Sequence, residues 1–423
     1  MNPSTMAHET IIEPELATVD SIRAQFPALA RREGAYPVAY FDGPGGTQVP
    51  RRVADAMTDY LLHHNANTHW AYPTSAETDA LLHEARVTLG DFLGAGPGEI
   101  SFGANMTTIL FHVARAIGRT LSPGDEIIVT ELDHHANVAP WQALARERGA
   151  VLRWLPLDLT TFRHEAGALE RLLSPRTKVV AVGAASNILG TISDVQSIVA
   201  AARAVGAITV VDAVHYAPHA LVDARAIGAD FILCSAYKFY GPHVGICYGR
   251  HDATAALDLP RLEPAPDYVP ECLETGTQNH EGIVGAAAAV EFLASLAPQA
   301  GDRRARLGAA MHALHARGDA LLADLWQGLS EIPGVTLFGP PPGTARTATL
   351  SFHVRGHPSE AVARALAPRG VYVSHGDFYA TTVARRLGYA DEGLVRAGCA
   401  CYTTADEVAR LVDGVRDLVT GAI

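Results

Sequence analysis

Lysine is almost missing from this chain: of 33 basic residues only Lys178 and Lys238 are lysines, and the rest are arginine. Any chemistry that needs a side-chain amine must fall on one of those two positions. Cysteine is scarce as well, with Cys234, Cys247, Cys272, Cys399 and Cys401 scattered through 423 residues. An odd, sparse set of this kind excludes a dense disulfide scaffold and fits a reducing compartment. Cys399 and Cys401 have one residue between them, and no second Cys or His pair completes a zinc pattern, so no metal site is expected. A basic excess is also lacking. The formal net charge of -12 attracts neither nucleic acid nor an acidic membrane surface, which leaves a small molecule as the expected partner. No apolar run reaches membrane-spanning length, and the N-terminus has no basic stretch followed by an apolar core, so a soluble, cytoplasmic protein is expected.

What the chain has in quantity is hydrophobic sequence, 48% over a length that supports one large α/β domain and a smaller companion. From about residue 85 to 250, short β-rich runs (EISFG, DEIIVTEL, VLRWLPL, TKVVAVGAAS, AITVVDAVH, ADFILCSAY) alternate with helical patterns such as TTILFHVARAIGRTL, PWQALARERG and VQSIVAAARAVG. That alternation predicts a mostly parallel sheet covered by helices, the open doubly wound class. A helical pattern, EGIVGAAAAVEFLASLA, runs to about 297, and the polar, Arg-rich stretch PQAGDRRARLG behind it is read as the domain boundary. Beyond it, a helix (AMHALHARGDALLADLWQGL), strands at GVTLFG, TATLSFHV, GVYVSHG and LVRAGCACY, and helices at PSEAVARALA and ADEVARLVDGVRDLV predict an α+β second domain.

Lys238 lies in ADFILCSAYKFYGPHVG, where an apolar strand gives way to a Gly/Pro turn. Reactive groups in open α/β sheets gather at the carboxyl ends of strands, and partial burial there lowers an amine's pKa enough for it to act as a Schiff-base nucleophile. Lys178, after SPRT at a strand entry, reads as a surface residue. Asp212 closes the run AITVVD at another strand end. A carboxylate in that place either caps the following turn or holds a pyridine nitrogen protonated, as pyridoxal phosphate (PLP) requires. His215, three residues on, is placed to touch the ring's phenolic oxygen. In ISFGANMTTILFHV a strand, a turn and a helix start bring Met106, Thr107 and Thr108 to a helix N-terminus, which is either an ordinary cap or a phosphate cradle. Ser235 can add a hydroxyl to that cradle. His134 and His135 follow a further strand; adjacent residues on extended backbone point opposite ways, so a stacked imidazole at His134 is expected rather than a shared metal.

The DHHANVAPW, SNILGT, VDAVHYAPH and SAYKFYGP segments, in this order and spacing, resemble the class V aminotransferase group of fold-type I PLP enzymes, and within it the cysteine desulfurase and selenocysteine lyase branch. The resemblance runs from FDGPGGTQVP to VRAGCACYTTADEVARL. It implies a large domain over 31–297 with a mostly parallel sheet of seven strands. The smaller α+β domain would comprise 298–423, with residues 1–30 packing on it. It implies that Lys238 carries PLP as a Schiff base, Asp212 pairs with the pyridinium, His134 stacks on the ring and His215 contacts its oxygen. Met106, Thr107 and Ser235 fall at phosphate contacts, with His280 reaching phosphate from a neighbouring subunit of a homodimer. Asn187 and Arg396, with His69 of NANTHWAYP, fall at substrate positions, and Asn187 also counts among the cofactor contacts.

The chain departs from the desulfurase pattern where that branch presents a catalytic cysteine on a loop: here the segment is GVYVSHGDFYA, and Tyr379 takes the cysteine's place. Cys399 and Cys401 are read as core residues, buried on one face of the strand after Arg396. Tyr237 precedes the lysine where histidine is frequent, and Trp70 replaces a basic residue. The expectation is therefore a desulfurase-like C–S lyase acting on cysteine or an S-substituted cysteine, with His375 and Tyr379 as candidates to protonate the leaving group. Transamination, epimerisation or other α- or β-carbon chemistry on an amino acid is the alternative on the same cofactor. A non-catalytic scaffold of the same fold is the alternative from another class.

Overall fold

A computed structural model describes residues 16–422. Its centre is a seven-stranded sheet made of β1 (Ile100–Gly103), β2 (Glu126–Thr130), β3 (Val151–Leu155), β4 (Thr177–Gly183), β5 (Ile208–Asp212), β6 (Phe231–Ser235) and β7 (Gly245–Gly249), in the spatial order β1-β7-β6-β5-β4-β2-β3. All neighbours from β6 to β3 pair in parallel, whereas β7 is antiparallel to both β6 and β1. Parallel strands buried on both faces read as continuous apolar runs. Every residue of β2 and β6, and all of β4 except half-buried Lys178, is buried. Sequence pattern does not single out β7, GICYG, whose two glycines hide it from β-propensity. Gly245 is required there, because a Cβ at that position would lie 2.4 Å from the backbone of Asn105.

Two apolar layers cover the sheet, one built on Phe92, Ile232, Ile246 and Phe292, the other on Leu110, Val113, Trp141 and Leu233. A second sheet consists of β8 (Val335–Phe338), β9 (Thr349–Val354), β10 (Ser374–Gly376) and β11 (Leu394–Gly398), ordered β8-β9-β11-β10 and antiparallel throughout, over its own core of Leu325, Phe352, Val395 and Leu411. Ala39–Tyr40 pairs with Val371–Tyr372 beside this second sheet.

The Arg-rich stretch read as a boundary is instead the start of a 28-residue helix, Arg303–Ser330. Asp302 caps it by accepting from the Ala305 N–H, and Arg303 reaches Glu84, Asp91 and Glu291. The helix puts Leu307 and Met311 into the core of the large sheet and Leu322 and Leu325 into that of the small one. The first described residues bind both bodies: Ala17 donates to the Leu296 carbonyl, Phe26 packs edge-on against Phe292, Tyr240 and Tyr402, and Arg23 pairs with Glu407. The packing expected of residues 1–15 lies outside the described residues. Cys399 and Cys401 are buried, but not on one face of a strand. The strand β11 ends at Gly398, so Cys399 enters the small core and Cys401 the large one. Among the described residues no helix is long and apolar enough to cross a membrane.

Candidate active site

The carboxyl ends of β1, β2, β4, β5 and β6 open on one edge of the large sheet, facing β10 and β11, and the gap between them is a cleft of about 1180 Å³. Open α/β sheets bind ligands at this edge. Lys238 projects into it from the turn after β6; its Nζ donates to the carbonyls of Pro44 and Gly45 (2.8 Å to the latter) and lies 4.8 Å from the centre of the Tyr237 ring. Burial, then the nearby Arg396 charge, lowers the Lys238 pKa to about 8 against the pull of Asp42 and Asp212. About one amine in ten is therefore neutral at pH 7 and about nine in ten at pH 9, so the rate at which protein freed of PLP recaptures it, followed by absorbance, is expected to rise about tenfold over that interval and then level off. A rate still climbing tenfold per pH unit above pH 9 would contradict a depressed lysine.

Asp212 ends β5 with Oδ1 accepting from the Val214 N–H at 2.9 Å, and burial raises its carboxyl to about 6. His215 is buried, with Nε2 3.0 Å from Thr347 Oγ1 and Nδ1 lacking any partner. Burial holds it well below the ordinary histidine value, so the ring is neutral at neutral pH. His134 is also neutral, lowered to about 4 by burial and then by Lys238 and Arg396. Its Nδ1 accepts from the Ala136 N–H at 3.0 Å, which places the ring proton on Nε2. The helix Met106–Gly118 starts at the floor of the cleft, where Asn105 caps Thr108 and the Met106 N–H donates to Ser235 Oγ at 3.0 Å. Met106, Thr107, Thr108 and Ser235 all line the cleft there.

On the opposite wall, Arg396 is 4% exposed. It donates from Nη1 to the Asn187 carbonyl at 3.1 Å and from Nε to Ser374 Oγ at 3.2 Å, and its Cζ lies over the Phe378 ring, 4.1 Å from the ring centre. Burial lowers its pKa to about 10, which leaves it charged at neutral pH. The loop after β10 brings Phe378 and Tyr379 over the cleft, both in left-handed backbone (φ 55° and 56°). Such conformations cost on the order of 1–3 kcal/mol each and persist only where neighbours fix them. Here the Phe378 carbonyl accepts from Asn187 Nδ2 at 2.9 Å, the Tyr379 carbonyl from the His135 N–H at 2.6 Å, and Asp377 Oδ1 from the Tyr379 N–H at 3.1 Å. The Tyr379 ring stands 5.6 Å from that of His134 and is 72% exposed, and His375 lines the same cleft.

Thus Lys238, Asp212, His215, His134, Asn187, Met106, Thr107, Ser235, Arg396, His375 and Tyr379 converge on one cleft. His280 and His69 do not join them within this chain. His280 begins the helix His280–Ala294 with Nδ1 3.1 Å from Tyr60 Oη, and His69 faces Asp79 at 3.4 Å. Sequence reasoning passes over two carboxylates. Asp133, sandwiched in DHHAN between more conspicuous histidines, is fully buried and pushed up to about 7. It binds Thr130 Oγ1 (2.6 Å), Asn137 Nδ2 (2.7 Å) and the Gly183 N–H (2.8 Å), fixing the turn that carries His134. Asp42, in FDGPGG, reaches Arg396.

PLP fits these residues. The unpartnered His215 Nδ1 and Asn187 Oδ1 are buried polar atoms lining the cleft, which native structures seldom leave unsatisfied. An amine of lowered pKa, a buried carboxylate at a strand end and a helix N-terminus with a serine hydroxyl supply the donor set.

A family model described as Aminotransferase class-V matches residues 39–411. A probable cysteine desulfurase of Mycobacterium leprae is 33% identical over 98% of this chain and 67% of its own length, and a cysteine desulfurase of Dickeya dadantii is 31% identical over 94% of this chain and 96% of its own. The chain spans 59–67% of the length of the mycobacterial and cyanobacterial relatives it matches. The apo structure of a cysteine desulfurase from Thermococcus onnurineus superposes with a TM-score of 0.86 at 29% identity, covering 95% of this chain and 98% of the other.

Proposed function

Because the chain belongs to the class V aminotransferase family, and is a cysteine desulfurase-like PLP enzyme of fold type I, we propose that it cleaves the C–S bond of cysteine or an S-substituted cysteine by β-elimination, releasing the sulfur group without passing it to a protein thiol. The observation that carries this reading is the exposed phenol of Tyr379 at the cleft where a persulfide-forming cysteine would stand. Among the described residues no cysteine lines the cleft, all five are buried, and burial pushes the thiols of Cys247, Cys399 and Cys401 up to about 12. A sulfur acceptor must be a thiolate, and these are not.

PLP bound in the cleft supplies an electron sink for the pair left on the substrate's α-carbon when its proton departs. Lys238 would hold the cofactor and, once free, take that proton. Asp212 would keep the proton on the ring nitrogen, His134 would lie on the ring as a neutral plate, and the vacant His215 Nδ1 would meet the phenolic oxygen. Met106, Thr107 and Ser235 would hold the phosphate. Arg396 would seat the substrate carboxylate beside Asn187, since a guanidinium binds a carboxylate through two parallel hydrogen bonds. In the elimination that this chemistry would allow, the α-carbon's electron pair would enter a carbon–carbon double bond as the β-carbon–sulfur bond broke. Tyr379, with His375, would give a proton to the departing sulfur, and the released unsaturated amino acid would hydrolyse to pyruvate and ammonia. His280 and His69 are assigned to the paired site of a cytoplasmic homodimer.

A series of S-substituted cysteines tests this. Turnover by the wild type is expected to rise with the acidity of the leaving thiol or sulfenic acid. Tyr379→Phe should lower kcat by about 10- to 100-fold for the most basic leaving groups and hardly at all for the most acidic, as loss of a general acid does. Turnover of Tyr379→Phe unchanged on every leaving group would remove Tyr379 from the mechanism. Turnover blind to the sulfur substituent, with the amine form of the cofactor accumulating, would mark a transaminase instead.

A further inference from the structure

One turn of the chain, 42–46, holds both cations of the cleft. Asp42 Oδ1 lies 3.3 Å from Arg396 Nη2, and among the described residues it is the one carboxylate paired with that arginine. The contact is single and long, although a guanidinium favours two short parallel bonds, and Asp42 keeps 47% of its side chain exposed against 4% for Arg396. The rest of the Arg396 shell is neutral: the Asn187 carbonyl, the Ser374 hydroxyl and the Phe378 ring.

Behind Asp42 the backbone folds tightly, with the N–H groups of Gly45 and Gly46 both donating to the Asp42 carbonyl at 2.9 Å. The carboxylate lies over Gly45 so closely that a Cβ there would come within 2.4 Å of Oδ1. The carbonyls of Pro44 and Gly45, two and three residues on, are those that receive the Lys238 amine. Thr47 locks the far end of the turn to the lysine's own segment: its N–H donates to the Tyr237 carbonyl at 3.1 Å and its Oγ1 accepts from the Tyr240 N–H at 2.8 Å.

We propose that Asp42 is a placeholder for the substrate carboxylate, occupying Arg396 until an amino acid displaces it. The proposal rests on the reading of Arg396 as the carboxylate seat. A buried arginine left alone is poorly solvated, and a weakly held, half-exposed carboxylate neutralises it without filling its fork. An incoming carboxylate that takes both prongs sends Asp42 to the solvent it already touches. Asp42 acts here as a positioning residue that makes carboxylate binding competitive.

The test uses the PLP-loaded enzyme and propionate, a carboxylate with no amine, with binding read from the shift in the cofactor's absorbance. Asp42→Asn is expected to bind propionate about three- to fivefold tighter than the wild type, the effect of removing one partly exposed competing charge, and to show a lower KM for the amino acid with a smaller change in kcat. Gly45→Ala, which leaves the charge in place but denies the carboxylate its seat, should move both quantities in the same direction and carries the test should Asp42→Asn fold poorly. Propionate affinity that is unchanged or weaker in both variants overturns the placeholder. Arg396→Gln separates the two readings: if it abolishes propionate binding while Asp42→Asn does nothing, the seat stands and only the placeholder falls. Where Arg396→Gln binds propionate as the wild type does, or no form binds it, the seat and the placeholder fall together.

Discussion

Lys238→Ala is expected to reduce turnover by about four orders of magnitude, since it removes both the covalent anchor and the base at the α-carbon. Few chains allow so clean a control, because this one has a single other lysine. Lys178 is half-buried on β4 with Nζ on the Pro175 carbonyl at 3.1 Å, well away from the cleft lining. Borohydride reduction of the PLP-loaded protein followed by peptide mass analysis should therefore label one lysine peptide in the wild type and in Lys178→Ala, and none in Lys238→Ala. Label retained in Lys238→Ala would mean that the cofactor is held elsewhere. The physical ground is the site around the amine: burial and the Arg396 charge lower its pKa to about 8, while Lys178 stands where strand entry and solvent meet.

Much of this arrangement is legible in the amino-acid sequence. The strands β2, β4, β5 and β6 are written as largely apolar runs because both their faces are buried, and β2, β5 and β6 end in a polar residue, Thr130, Asp212 and Ser235. Lys238 and Asp212 can thus be placed at one edge of one sheet from sequence alone. The body of the helix Arg303–Ser330 is legible from about residue 310, but its start is not, because its first turn is polar and is held by ion pairs with Glu84, Asp91 and Glu291 on other helices. Periodicity registers apolar faces, and such a turn has none. Cys399 and Cys401 mislead for a related reason: alternation cannot be extended past Gly398, where β11 stops and the chain passes from one core to the other.

In the site, the residues that sequence pattern misses act through shape. Asp42 precedes a Gly/Pro turn and looks like an ordinary turn former, and Asp133 looks like an ordinary cap. Only the fold brings Asp42 to Arg396, 354 positions away, and buries Asp133 against Gly183. The paired left-handed residues Phe378 and Tyr379 are likewise invisible in sequence, since neither is a residue type that advertises positive φ. Their loop presents a phenol, fixed through the Asn187 and His135 hydrogen bonds, over the cleft.

That phenol leads to the central claim, that the sulfur departs by elimination with no protein thiol receiving it. The most direct measurement incubates the purified, PLP-loaded enzyme with cysteine and a small panel of S-substituted cysteines and quantifies pyruvate and alanine separately. Elimination converts the three-carbon skeleton to pyruvate, with ammonia and the sulfur group in equal amount, whereas transfer of sulfur to an acceptor returns the skeleton as alanine. Pyruvate without alanine is the result the account predicts. Alanine accompanied by stoichiometric sulfur transfer would contradict it and show that an acceptor other than a loop cysteine does the work of a desulfurase.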